Sequence, residues 1–222
     1  MSKRPFKPRQ RQSGNRDATL IIIVTEGEKS ERIYLEALHT DPRYRNSRVH
    51  VEILAQDNST HSSPLAVIRT LDKFKGKYKL DKTDQLWMVI DVDHWDKHNK
   101  LTETAQLCQQ KKYRLAVSKP CFEVWLWLHL CDPATCTPEK LEELSQTEKV
   151  GNDTYLEIEI GACLGKKYNK VKYDPVQFLD YVQEAIDRAR ALDTNPSDRW
   201  PQGLGTRVYQ LVEAILESKR KN

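Results

Sequence analysis

Leu20, Ile21, Ile22, Ile23 and Val24 form an unbroken apolar run rich in β-branched residues, which predicts a short strand covered on both faces. Ile33, Tyr34, Ala37 and Leu38 then recur at helical spacing and predict an amphipathic helix. Val49, Val51 and Ile53 alternate with polar residues, as in a strand nearer a sheet edge. Ser63 followed by Pro64 marks a helix start, with Leu65, Ile68, Leu71 and Phe74 on its buried side. "QLWMVI" at 85–90 predicts a central strand, "LTETAQLCQQKKY" a helix and "YRLAVS" at 113–118 a fourth strand. The order βαβαβαβ implies an α/β fold: a parallel sheet sandwiched by helices, because parallel neighbours need crossover connections.

This core is expected over residues 18–130, with a mainly helical C-terminal extension, 131–222, packed on it. Thr137-Pro138 and Asp174-Pro175 read as helix starts, the second helix running to about Leu192, and Thr206 as the cap of a last helix ending near Glu217. Between the first two, "GNDTYLEIEIGACLGKKYNKVKYD" reads as irregular and rich in Gly and Lys.

Charge changes the picture at one end. The net charge is only +4, yet residues 1–17 carry Lys3, Arg4, Lys7, Arg9, Arg11 and Arg16 against Asp17 alone. Such a segment buries too little surface to fold by itself and is expected to be a flexible basic arm. It has no apolar stretch of the secretory kind, and no transmembrane run follows. Five cysteines without a paired framework point to reduced thiols in the cytoplasm. Cys131 and Cys136 bracket "CDPATC", but no second ligand pair at comparable spacing supports a zinc site.

Two acidic signals stand at strand ends, where open parallel sheets collect ligands. Glu26 follows the first strand, with Gly27 beside it freeing the backbone for a tight turn. Asp91 and Asp93, two apart after the third strand, leave one face of an extended chain. Carboxylates so close repel unless a cation holds them, and oxygen ligands suit Mg²⁺ or Mn²⁺. The bland readings are a helix-opening acid for Glu26 and a solvated loop for the D-x-D pair, including His94, Asp96 and His98 beyond it.

"IIVTEGEKSERIYLEAL" followed by "WMVIDVDHWD" resembles the Toprim metal-binding pattern of topoisomerases, primases and overcoming-lysogenization-defect nucleases. With "LAVSKPCFEVWLWLHL", "KKYNK" and "GTRVYQLVEAI", the chain from about 18 to 218 resembles the RloB-like family, small Toprim proteins associated with bacterial phage-defence loci. The resemblance implies a nuclease on RNA or DNA, often beside an ATPase partner, with Glu26, Asp91 and Asp93 as catalytic and metal-binding residues. Where the family usually has Asn before the Pro of "NPCFE", this chain has Lys119.

Other residues extend this reading. Glu123 lies among Phe122, Trp125, Leu126 and Leu130, where a carboxylate must be paired, protonated or metal-bound, so it is a further metal candidate. Lys29 and Lys119 are candidate phosphate contacts, and Arg207 a candidate anion contact near the last helix start. Lys166, Lys167, Tyr168 and Lys170 mix charge with an aromatic ring, as nucleic-acid grooves do, against the reading of a solvated basic loop. The leading expectation is a cytoplasmic, Mg²⁺- or Mn²⁺-dependent endonuclease in anti-phage defence, with a homo-oligomer left open. A phosphotransferase of the haloacid-dehalogenase type places D-x-D on its first strand, where this chain has Glu26. A non-catalytic subunit that binds nucleic acid or a nucleotide is the alternative from another class.

Overall fold

A computed structural model of the protein describes residues 18–27, 29–55, 64–92 and 100–217. The expected basic arm, Ser63, Asp93, His94, Asp96 and His98 lie outside the described residues.

The first half alternates as the periodicity predicts: β1 (Thr19–Thr25), α1 (Ser30–Thr40), β2 (Val49–Leu54), α2 (Pro64–Lys77), β3 (Gln85–Asp91), α3 (Lys100–Lys111) and β4 (Arg114–Lys119). β1 pairs in parallel with β2 and β3, and β3 with β4. After these come α4 (Glu123–Leu130), α5 (Pro138–Leu144), a two-residue-strand hairpin of β5 (Lys149–Val150) and β6 (Asp153–Thr154), and α6 (Tyr155–Leu164). The chain continues through α7 (Val176–Leu179), α8 (Val182–Leu192), β7 (Gly205–Thr206) and α9 (Val208–Leu216). β7 adds a short antiparallel strand beside β4, so the sheet order is β2-β1-β3-β4-β7. The alternating strand with polar positions, β2, takes the edge, and the most apolar ones lie inside.

Side-chain alternation splits each central strand between two cores. Ile22, Val24, Met88, Ile90 and Val117 face α2 and α3 through Val67, Ile68, Leu71, Leu101 and Cys108. Ile21, Ile23, Trp87, Val89 and Ala116 face the other way, against α1 and the C-terminal helices α4, α6, α8 and α9. α4 is buried almost all round because it lies between the sheet and these later helices. Tyr34 of α1 donates to His129 Nε2 of α4 (2.9 Å), while His129 Nδ1 donates to Trp125 O (2.7 Å). Burial pushes the imidazole down to about 3, so it stays neutral and serves as a fixed link between the two helices.

Three expectations need correction. The segment read as irregular holds α6, closed by a capping box of Thr154 and Glu157 at its start and by Gly165 at φ 65° at its end. The helix from Asp174 to Leu192 is broken at Tyr181, between α7 and α8. Leu65 is 42% exposed, and Val67 takes the buried position in its place.

Arg207 is not presented to an outside anion. Its guanidinium meets Asp193 through Nε and Nη2, each at 3.0 Å, and also donates to the carbonyls of Asn195 and Asp198. Asp193 further accepts from Tyr209 (3.0 Å). With both partners buried, removing one leaves the other's charge without compensation. Arg207→Met is therefore expected to cost about 3–5 kcal/mol in urea unfolding. A loss below about 1 kcal/mol would place the pair with exposed ion pairs instead.

Candidate functional site

The site is built where the parallel strands end. The Glu26 N–H donates to Val89 O (2.8 Å), so Glu26 closes the β1 ladder against β3. Its Oε2 lies 3.4 Å from the Asp91 N–H, bringing the two predicted carboxylates to one edge. Asp91 stands opposite Ser118 of β4 and follows Trp87 and Val89 in alternation, which directs it to the side of α1 and α4.

Those helices supply acids of their own. Glu123 opens α4 and is 5% exposed; Glu31, in the first turn of α1, is 4% exposed. Glu31 is held by the Gly27 N–H on Oε1 (3.0 Å) and the Ser30 hydroxyl on Oε2 (3.2 Å). Gly27 is needed for this close approach, because a Cβ there would lie 2.2 Å from Glu31 Oε2. Burial raises the Glu31 pKa above the ordinary carboxylate value, and the charge of Glu123 adds to the rise. Burial likewise holds the Cys121 thiol well above its usual value, with the charges of Glu123 and Asp91 adding to it.

Gly27, Lys29, Glu31, Asp91, Glu123 and Lys170 line one cleft of about 560 Å³, with Cys121 and Glu157 also on its wall. Lys170 lies 3.6 Å from Glu157. Desolvation works against its ammonium, but Glu123 and Glu157 outweigh it and raise the lysine pKa. Among the described residues, no three of the cleft's carboxylates bring ligand atoms within 4.8 Å of one another. Asp93, the other half of the D-x-D pair, lies outside the described residues.

The remaining sequence candidates separate. Lys29 is exposed at the cleft, and Lys119 donates from Nζ to Gln202 O (2.6 Å). Lys166 is exposed, whereas Lys167 pairs with Asp153 (2.8 Å). Tyr168 is 4% exposed and its hydroxyl lies 3.5 Å from Glu123 Oε1, so its ring cannot offer an open stacking platform. Tyr173 donates to Ser30 O (2.7 Å), which fastens the same lysine-rich segment to the start of α1. Arg207 is spent on Asp193, as described above. Sequence reasoning missed Glu31, Glu157 and Cys121. Glu31 is an acid five residues after Glu26 at a helix start, and only the packing of α1 against α4 marks it as buried.

An α/β sheet with buried carboxylates and lysines on one crevice at its strand ends defines a polar ligand site of the kind open parallel sheets carry. The sequence profile of RloB-like proteins matches residues 21–215, and the chain belongs to the RloB-like protein family. No curated protein and no solved structure matches it. Among the described residues, no helix is long and apolar enough to cross a membrane.

The cluster carries a pH signature. Because the Glu31 pKa is raised on folding, the folded state binds more protons than the unfolded one above the unperturbed value of 4.5. Stability from Glu31 is thus complete below that value and is lost as pH rises through the folded pKa. Glu31→Gln keeps an acceptor for Gly27 and removes the charge. In metal-free buffer the variant is expected to melt above wild type at pH 7 and to lose that advantage near pH 4. Equal melting temperatures at pH 7 would contradict a charge penalty at Glu31.

Proposed function

We propose that this RloB-like protein is a divalent-metal-dependent endonuclease, hydrolysing phosphodiester bonds of RNA or DNA in bacterial anti-phage defence. The observation that carries the reading is the meeting of Glu26 and Asp91 from two strand ends with buried Glu31 and Glu123 and cleft lysines. Resemblance to Toprim proteins, within the RloB-like family to which the chain belongs, supports this reaction class. An all-oxygen donor set suits Mg²⁺ or Mn²⁺. Glu26 and Asp91 would hold the ion, with Asp93 and Glu123 completing the set. When bound, it supplies positive charge at the scissile phosphate and makes water a better nucleophile at neutral pH.

The chain's own groups do the rest. Glu26 would act as a ligand through water or as the general acid/base for the attacking or leaving oxygen. Lys29 and Lys170 flank the acids and bind neighbouring phosphates, which fixes the strand across the cleft. Their positive charge also offsets the approach of a polyanion to four carboxylates.

Two outcomes are expected. Asp91→Asn and Glu26→Gln each lower cleavage by at least about 10²-fold without changing the circular dichroism spectrum. The assay is a panel of tRNA, mRNA, single-stranded and duplex DNA with Mg²⁺, Mn²⁺ or EDTA, and full cleavage by both variants would defeat the proposal. Wild-type binding without cleavage throughout the panel would instead favour the non-catalytic subunit. Lys29→Gln and Lys170→Gln each make the slope of log affinity against log salt shallower by about 0.7 to 0.9. An unchanged slope would remove the lysines from the interface.

A further inference from the structure

Behind the cleft, folding assembles a second group of ligating side chains. α4 begins at the cleft with Glu123 and ends at Leu130, with Cys131 next in the chain. α6 begins at the cleft with its cap Thr154 and with Glu157, and carries Glu159 and Cys163 one turn apart toward its other end. Cys131 Sγ and Cys163 Sγ lie 2.6 Å apart, and with a Glu159 carboxylate oxygen they fall within 4.8 Å of one another. Among the described residues, this is the one set of three or more His, Cys, Asp or Glu side chains that converges so closely.

We propose that Cys131, Cys163 and Glu159 hold a structural thiophilic divalent cation, Zn²⁺ by the chemistry of the donors, which clamps α4 to α6. Two sulfurs with one carboxylate are ligands that Zn²⁺ accepts and that Mg²⁺ does not favour. The fourth position is left to Cys136, whose Sγ stands outside the converging three, 4.0 Å from Asp132 O, and turns in on binding. A 3-10 turn over Pro133–Thr135 returns it toward Cys131, and that turn is fixed by Asp132, which accepts from the Ala134 N–H (2.9 Å) and the Thr135 hydroxyl (2.7 Å). Tetrahedral bonds of about 2.3 Å separate ligand sulfurs by roughly 3.7 Å. The pair opens by about an ångström on binding, a change that the partly exposed Cys131 and exposed Cys163 permit. Glu159 gives Oε2 to Lys140 (2.9 Å), leaving its other oxygen for the ion.

The consequence reaches the cleft. Glu123 and Glu157 stand at the starts of the two clamped helices, so the ion fixes their spacing without entering the chemistry.

The test uses the full chain, reduced, loaded with Zn²⁺ and passed through gel filtration. About one zinc per chain is expected in wild type and in Glu26→Gln, whose change lies at the strand ends beside Asp91, and none in Cys131→Ser or Cys163→Ser. Co²⁺ in place of Zn²⁺ should give a thiolate-to-cobalt charge-transfer band in the near ultraviolet that Cys163→Ser lacks. Because Cys163 is exposed, that variant keeps the fold while losing the ligand. Zinc absent from reduced wild type, zinc equal in the cysteine variants, or a Cys131–Cys163 disulfide in protein prepared without oxidant would each overturn the proposal. Each outcome is read without a nucleic-acid substrate, so failure here is separate from failure of the nuclease reading.

Discussion

Everything at the cleft depends on one constraint: β1, β3 and β4 are buried on both faces and end together. In a sheet covered by helices on either side, polar chain can emerge only at the strand ends. The parallel register Thr25↔Val89 and Asp91↔Ser118 brings those ends to one edge. Glu26 and Asp91 therefore meet because their apolar strands are paired, with no contact between their loops required. α1 and α4 then start from the same edge, and each contributes a buried acid in its first turn.

Crowding acids in this way sets up an unfavourable electrostatic state that the rest of the site moderates. Burial raises the Glu31 pKa, and the like charge of Glu123 adds to the rise, because like charges at short range disfavour each other's ionised form. Lys170 offsets part of this, and the Gly27 and Ser30 donors offset another part. A divalent cation would relieve more than either. If the proposed function holds, stability and metal affinity are coupled through the same carboxylates, a common arrangement where a fold tolerates strain for function.

The sequence revealed what strand periodicity and strand-end position can reveal. The four parallel strands, the edge placement of β2 and the acids Glu26 and Asp91 follow from local pattern. What escaped it depends on contacts between distant segments. Glu31 looks like an ordinary helix-opening acid until α4 covers it. Arg207 looks available until Asp193 comes to meet it from the end of α8. Tyr168 looks like an open ring until the lysine-rich segment folds back on Glu123. The cysteine group is the extreme case: "CDPATC" has no matching pair nearby in sequence, and Cys163 and Glu159 reach it only when α6 packs on α4. α6 itself was legible in principle, since Thr154-x-x-Glu157 and Gly165 mark its two ends, but the Gly and Lys flanks masked it.

The central claim is that Asp91 is a metal ligand in a mutually repelling acidic cleft. Thermal melts of wild type and Asp91→Asn in EDTA and in rising Mn²⁺ test it without knowledge of the substrate. Removing one charge at nearly constant shape should raise the metal-free melting temperature by roughly 2 to 4 °C, equivalent to about 1 kcal/mol in a chain of this size. Wild type should then gain RT ln(1 + [Mn²⁺]/Kd) as metal is added and overtake the variant, which has lost a ligand. Equal Mn²⁺-induced shifts in the two proteins would contradict the account.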